Sequence, residues 1–177
     1  MQKRALAVLA LTTLLFGCGP GRNEFAPTCP APRLVSTLAD LTRFSPTAKI
    51  HDITGLVVQA RVVSLNGTCQ AGDDKSTVAA KAKIGVSVRR GPAMAGRAAD
   101  LPVFLAVTLG DQVLDKHVYQ VHVTFPPNVD RVDLVSPEID LVVPVAGNVT
   151  GASYGLIAGF QLTTDELAAN QSAQSTK

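Results

Sequence analysis

Tryptophan is absent from these 177 residues and tyrosine occurs only twice, so aromatic residues make up just 5% of the chain. A sugar-binding surface built on exposed aromatic rings therefore has little to draw on. No stretch approaches the ~20 apolar residues that a transmembrane helix needs. Sequence signatures of catalysis are equally scarce. No serine stands in a Gly-x-Ser-x-Gly elbow. Gly91, Pro92 and Gly96 form no phosphate-cradling loop, because no Lys-Ser/Thr pair follows them. Neither Cys29 nor Cys69 has a His or second Cys at ligand spacing, which argues against a metal site. The carboxylates are scattered, and no pair stands out for acid/base work. No catalytic residue, metal ligand or cofactor is expected, and an enzyme remains open only through polar groups that converge across strands.

What is present begins with Cys18. Lys3 and Arg4 form a basic start, residues 5–16 carry no charge, and Leu15, Phe16 and Gly17 lead into Cys18. A positive n-region, a short apolar h-region and a small residue before the cut describe a secretory signal. With a cysteine directly after the small residue, residues 1–17 resemble a bacterial lipoprotein signal peptide, although Phe16 is bulky for its slot. The resemblance implies that the Cys18 thiol is diacylated, that the chain is cut before it and that the new amine is acylated. The alternative is an ordinary secretory signal, cut after Gly17 or Gly19, with Cys18 a free thiol. Two or more acyl chains, a palmitate among them, give stable anchoring where one does not. Gly19 stands where Asp would signal inner-membrane retention, so the implied address is the periplasmic face of the outer membrane.

Maturation would also change the charge. The chain has 16 Lys+Arg against 14 Asp+Glu, and Lys3 and Arg4 leave with the signal, giving fourteen of each. A neutral domain offers no electrostatic reason to bind nucleic acid or anionic lipid. With Cys18 acylated, Cys29 and Cys69 remain as an even number in an oxidising compartment, and they are expected to form a disulfide rather than two unrelated thiols. Residues 18–32, rich in Gly, Pro and small polar residues, read as a flexible tether.

The remainder alternates with period two. Val78, Ala80, Ala82, Ile84, Val86 and Val88 interleave with Lys81, Lys83, Ser87 and Arg89, the pattern of a strand with one buried face. Thr54, Leu56, Val58, Ala60 and Val62 do the same. Residues 103–109 are apolar on both faces and suit a central strand, while residues 116–125, 129–135, 139–145 and 154–162 supply four more. Leu34, Leu38 and Leu41 have helical spacing, which predicts a short helix within residues 33–44. Thr163 and Glu166 have the spacing of a capping box, predicting a helix over 164–170 and then a disordered tail, 171–177. About seven strands with turn signals between them predict an all-β protein: a single β-sandwich over 33–170, immunoglobulin-like, with a short C-terminal helix.

Functional side chains are few. His117 and His122 are five apart in one expected strand, so they point to opposite faces. His51 and Asp52 are adjacent and also diverge. Arg89, Arg90 and Arg97 cluster around a loop, either as an anion contact or as a solvated turn. Asp52 and Thr54 share a face, where they either cap a turn or contact a partner. The run Asp52-x-Thr54-x-Leu56 followed by Cys69, the stretch from Val86 to Ala93 (V-x-V-R-R-G-P-A) and the ending from Gly159 to Asn170 (G-F-Q-L-T-x-x-E-L-A-x-N) resemble a family of alphaproteobacterial outer-membrane lipoproteins. Its BamF-type members are accessory lipoproteins of the β-barrel assembly machinery. Their Arg-x-Asp-x-Thr pattern has Ile50 here in place of Arg. The resemblance implies a non-enzymatic scaffold or accessory protein, lipid-anchored and bound to envelope proteins, with the barrel-assembly core the first partner and Asp52 and Thr54 the docking residues near the tether. The alternative is a periplasmic small-ligand or glycan-binding module.

Overall fold

The computed structural model describes residues 27–48, 52–73 and 75–175. Two β-sheets face each other across one apolar core. One sheet has the order β2-β3-β4, with β7 and β8 together completing it beyond β4; the other has the order β1-β9-β5-β6. The strands are β1 (Ala31–Leu34), β2 (Asp40–Phe44), β3 (Leu56–Ala71), β4 (Thr77–Arg90), β5 (Ala98–Leu109), β6 (Gln112–Thr124), β7 (Arg131–Val135), β8 (Ile139–Pro144) and β9 (Tyr154–Phe160). Helix α1 is the four residues Ser36–Ala39, and α2 spans Thr164–Ser175.

The β-sandwich is the expected architecture. Its connectivity, however, is not the immunoglobulin pattern, in which strands A-B-E-D oppose C-F-G. Here β2, β3 and β4 run as a consecutive meander, and β1 pairs with β9 in parallel. Nine strands replace the expected seven because the short helix expected within residues 33–44 is only the four residues of α1, with β1 and β2 on either side of it. Leu41 pairs with Ala60 on β3 and is fully buried, so pairing overrides the helical spacing of the leucines. The four-residue α1 has no side-chain cap, and so short a helix has little stability of its own.

Alternation in β3 and β4 buries the predicted residues. Val58, Ala60 and Val62 face Val86, Val88 and their neighbours in the core. A bulge then skips Val63, which is exposed, and shifts the inward phase so that Leu65 is buried. Central β5 is apolar on both faces: Leu101, Val103, Leu105 and Val107 enter the core, and Phe104 and Ala106 are covered from outside. Leu38 of α1 contributes to that cover, since its Cβ lies against Gly159. Gly110, at φ +58°, makes the tight turn from β5 into β6.

Both ends of the domain differ from expectation. Residues 27–32, read as tether, belong to the fold. Thr28 Oγ1 accepts a hydrogen bond from the Ala152 N–H at 3.2 Å, Cys29 is bonded to Cys69, and Ala31 and Pro32 lie in β1. Helix α2 continues through Ser175, past the predicted end at Asn170. Its capping box forms as spaced: Glu166 Oε2 accepts from the Thr163 N–H at 2.8 Å and Thr163 Oγ1 from the Glu166 N–H at 3.2 Å. Asn170 Nδ2 donates to the carbonyls of Thr37 and Asp40 and clips α2 onto β2. Among the described residues no helix is long and apolar enough to cross a membrane.

The Cys29–Cys69 disulfide closes a sequence separation of 40 residues, with Cα atoms 5.6 Å apart. On the chain-entropy view such a loop stabilises the fold by about 4 kcal/mol. Replacing both cysteines by Ala should therefore lower the unfolding free energy by about that amount, read from urea unfolding curves with midpoint and slope both fitted.

Candidate functional site

Cys18 lies outside the described residues, as do Lys49, Ile50 and His51. Asp52 and Thr54 are described and exposed, and they form the turn that feeds β3. Asp52 Oδ1 accepts from the Thr54 N–H at 2.9 Å, the Thr54 hydroxyl at 2.6 Å and the Gly55 N–H at 3.2 Å. One oxygen thus caps three donors, an Asx-type device that closes the 3-10 turn Ile53–Gly55. The hydrogen bond from Thr54, with those from the backbone, holds the Asp52 carboxyl below its usual 3.8. The spacing D-x-T therefore has a local architectural cause. Nor is the pair near the tether. Asp52 stands at the start of β3 and Cys69 near its other end, about 40 Å away at ordinary strand rise.

The other residues of the resemblance also have structural work. The Gly91 N–H donates to the Val57 carbonyl, and a Cβ there would collide with the Leu56 carbonyl. Arg90 donates to the Met94 carbonyl at 3.2 Å, and its Nε is buried without a partner among the described residues. Arg89 and Arg97 remain at the surface of the same pole. Glu166 also accepts from Arg43 Nε at 2.9 Å, beyond its capping role.

The site that sequence reasoning missed lies on the flank of the sandwich. β6 ends one sheet, and the paired β7 and β8 end the other. The two edges do not join. A cleft of about 600 Å³ opens between them, with Val103, Tyr119 and Val121 on one wall and Val86, Leu134 and Ile139 on the other. A second cavity of about 330 Å³ continues it toward Asp115, His117, Leu141 and Tyr154, and shares Tyr119 and Asp140 with the first. Register explains the lining. Asp115, His117, Tyr119 and Val121 sit opposite Val107, Leu105, Val103 and Leu101, so they face inward over the cleft. His122 faces out and bonds Asp100 at 2.7 Å, so the two histidines diverge as their spacing predicted. His117 Nε2 lies 3.0 Å from Asp115.

The opposite edge owes its shape to Ser136 and Pro137. Proline has no N–H to offer the ladder, and β4 pairs with β8 before that point and with β7 beyond it. Ser136 Oγ repairs the gap by accepting from the Ile84 N–H at 3.0 Å. Beyond it, Glu138 accepts from Lys81 at 2.6 Å and lies 3.6 Å from Lys83. The hydrogen bond with Lys81 draws the Glu138 carboxyl below its ordinary value and raises the Lys81 ammonium. Among the described residues no lysine or arginine lines the cleft; Asp115 faces into it, whereas Glu138 and Asp140 along its edge turn outward to Lys81. Among the described residues no group of three or more His, Cys, Asp or Glu is arranged to hold a metal ion. The chain carried no local signal for the cleft, because its walls come from strands of different sheets.

Set against known protein families, curated proteins and solved structures, the chain matches none of them.

The Asp52 turn makes a pH-dependent contribution. Its carboxyl titrates lower in the folded state than in the unfolded chain, so the stabilisation is present above about pH 4 and fades as acid protonates the folded carboxylate. Asp52→Asn should lower the melting temperature at pH 7, and the difference from the parent should shrink as melting is followed down toward pH 2.

Proposed function

We propose that this chain is a lipid-anchored accessory protein of the outer membrane, facing the periplasm and binding other envelope proteins without catalysis. The family resemblance supplies the barrel-assembly complex as the first partner to test. The observation that supports a binding role is the open flank: β6 is a long sheet edge beside an apolar cleft. An exposed edge offers main-chain hydrogen bonds and the cleft offers side-chain pockets, which is how strand-addition modules bind.

The anchor would orient that flank. From an acylated Cys18 to Pro27 the chain reaches at most about 30 Å. The pole holding Cys29 and Cys69 then stays by the bilayer, and the Asp52 turn points into the periplasm. Docking through Asp52 and Thr54 is the weaker form of the proposal, because three donors already occupy the Asp52 oxygen that faces the turn.

A small-ligand or glycan module is the second reading. The cleft volume of about 600 Å³ supports it, since it falls in the range of ligand pockets. Its linings include no phenylalanine or tryptophan, and the rings that face it are those of Tyr119, Tyr154 and His117.

A mild-detergent pull-down of the tagged full-length protein from its own envelope separates the two. The lipidated form should bring down the barrel-assembly core and incorporate labelled palmitate, and Cys18→Ala should lose both the label and membrane retention. Recovery of the lipidated protein alone would discard the assembly role and favour the ligand module.

A further inference from the structure

Four strand edges bound the two sheets, and three are protected. β1 is four residues long and contains Pro32. β2 is five residues long and lies under α2, through the Asn170 clip and the Arg43–Glu166 pair. The β7/β8 edge is broken at Ser136 and Pro137 and stops at Pro144. Short length, cover and proline are the devices by which proteins blunt a sheet edge against pairing. β6 departs from all three. It is thirteen residues long, contains no proline, is exposed from Gln112 to Gln120, and has no element of the described residues on its outer edge. Its single lysine points away from the cleft, where Lys116 lies over the Phe104 ring and donates to Gln161 at 2.7 Å.

We propose that β6 accepts an added strand from a partner protein, an extended segment whose inward side chains are apolar at one end and basic at the other. The chemistry follows from what the segment would cover. Toward Val121 the cleft presents Leu134 and Ile139, which remain partly open to water above the buried Val86 and Val103 and gain from apolar cover. Toward the start of β6 it presents Asp115, with no lysine or arginine among the described lining residues. Glu138 is already matched by Lys81 and Lys83, and Asp140 faces outward opposite Lys81, 3.7 Å from its ammonium. Charge complementarity therefore selects lysine or arginine over Asp115. Outward side chains of the segment meet Val118, Gln120 and His122 and are free to be polar.

This inference rests on the binding role proposed above and specifies its surface. The test uses the full-length lipidated protein in detergent micelles and hydrogen exchange read by mass spectrometry. The probes are the capped peptide Thr-Val-Thr-Val-Thr-Lys-Thr-Lys-Thr and its reverse, one for each strand direction, with Glu-for-Lys versions as controls. One of the two lysine peptides should slow exchange at least tenfold in the fragment covering 112–124, at those amides that do not already pair with β5. Asp115→Asn should weaken that binding about twofold, the effect of one exposed ion pair. Successive residues of a strand direct their N–H groups to opposite sides, so of Val118→Pro and Tyr119→Pro one spares the β5 ladder. The folded one should abolish protection by the peptide.

Equal binding of the glutamate peptides would overturn the proposal, as would protection confined to another segment or wild-type binding by the folded proline variant. Protection of β6 before any peptide is added, with a dimeric mass, would overturn it in favour of a second copy of this chain. If the pull-down recovers envelope partners while β6 stays unprotected, the binding role stands and the edge is excluded. If β6 binds the peptide while the pull-down is empty, the barrel-assembly role fails and the edge is retained.

Discussion

The antiparallel ladder between β3 and β4 is the constraint on which the remaining structure depends. These are the longest strands, sixteen and fourteen residues, and they pair from Val58 opposite Arg90 to Ala71 opposite Val78. A one-residue slip in such a ladder would turn every buried valine to solvent. The register instead absorbs one extra residue at Val63, so the inward series passes from Val62 to Leu65 without exposing either. β2 attaches to the free side of β3, and β7 and β8 attach in succession to the free side of β4. The second sheet then closes over the face those strands present, with Leu101, Val103, Leu105 and Val107 of β5 and Leu156, Ala158 and Phe160 of β9 filling the core.

Length gives the ladder two distinct poles. One carries the disulfide, the turn from β5 into β6 and the point where the N-terminal segment joins. The other carries the Asp52 turn, Arg89, Arg90 and Arg97. At about 40 Å of separation along β3, a residue at one pole cannot serve a contact at the other. Sequence proximity misled here: Asp52 is closer in sequence to Cys29 than Cys69 is, yet Cys69 is the one that meets it. Between the poles, β6 and the broken β7/β8 edge leave a flank that the chain does not close by itself. A sandwich whose edges stop short of each other holds water beside apolar side chains, an arrangement that another extended segment relieves.

How far the chain was legible depended on whether a signal was local. The buried face of β4 could be read from Val78 to Val88 because a period of two needs no partner to be recognised. The capping box of Thr163 and Glu166 was legible for the same reason, as both partners lie within one turn. Within residues 33–44 the helical period of Leu34, Leu38 and Leu41 is met only by the four residues of α1, because pairing with β9 and β3 makes Leu34 and Leu41 strand residues. Tertiary pairing routinely overrides propensity in so short a segment. The run of Asp52, Thr54 and Leu56 was legible as a motif, but its two explanations differed only in where the Asp52 oxygen points. The cleft was not legible at all, since its walls come from β6 on one side and β7 and β8 on the other, and no spacing rule joins strands of different sheets.

By itself, then, the amino-acid sequence determined the β class, the inward faces of the long strands, the terminal helix with its cap and the cysteine pair. Each follows from interactions between near neighbours or from a count of thiols. Tertiary structure alone decided the strand order, the conversion of residues 33–44 into β1, α1 and β2, the distance between the Asp52 turn and the disulfide, and the open flank along β6. Those depend on which edges find partners, and an edge left without one is a property of the assembled sheets rather than of any stretch of chain.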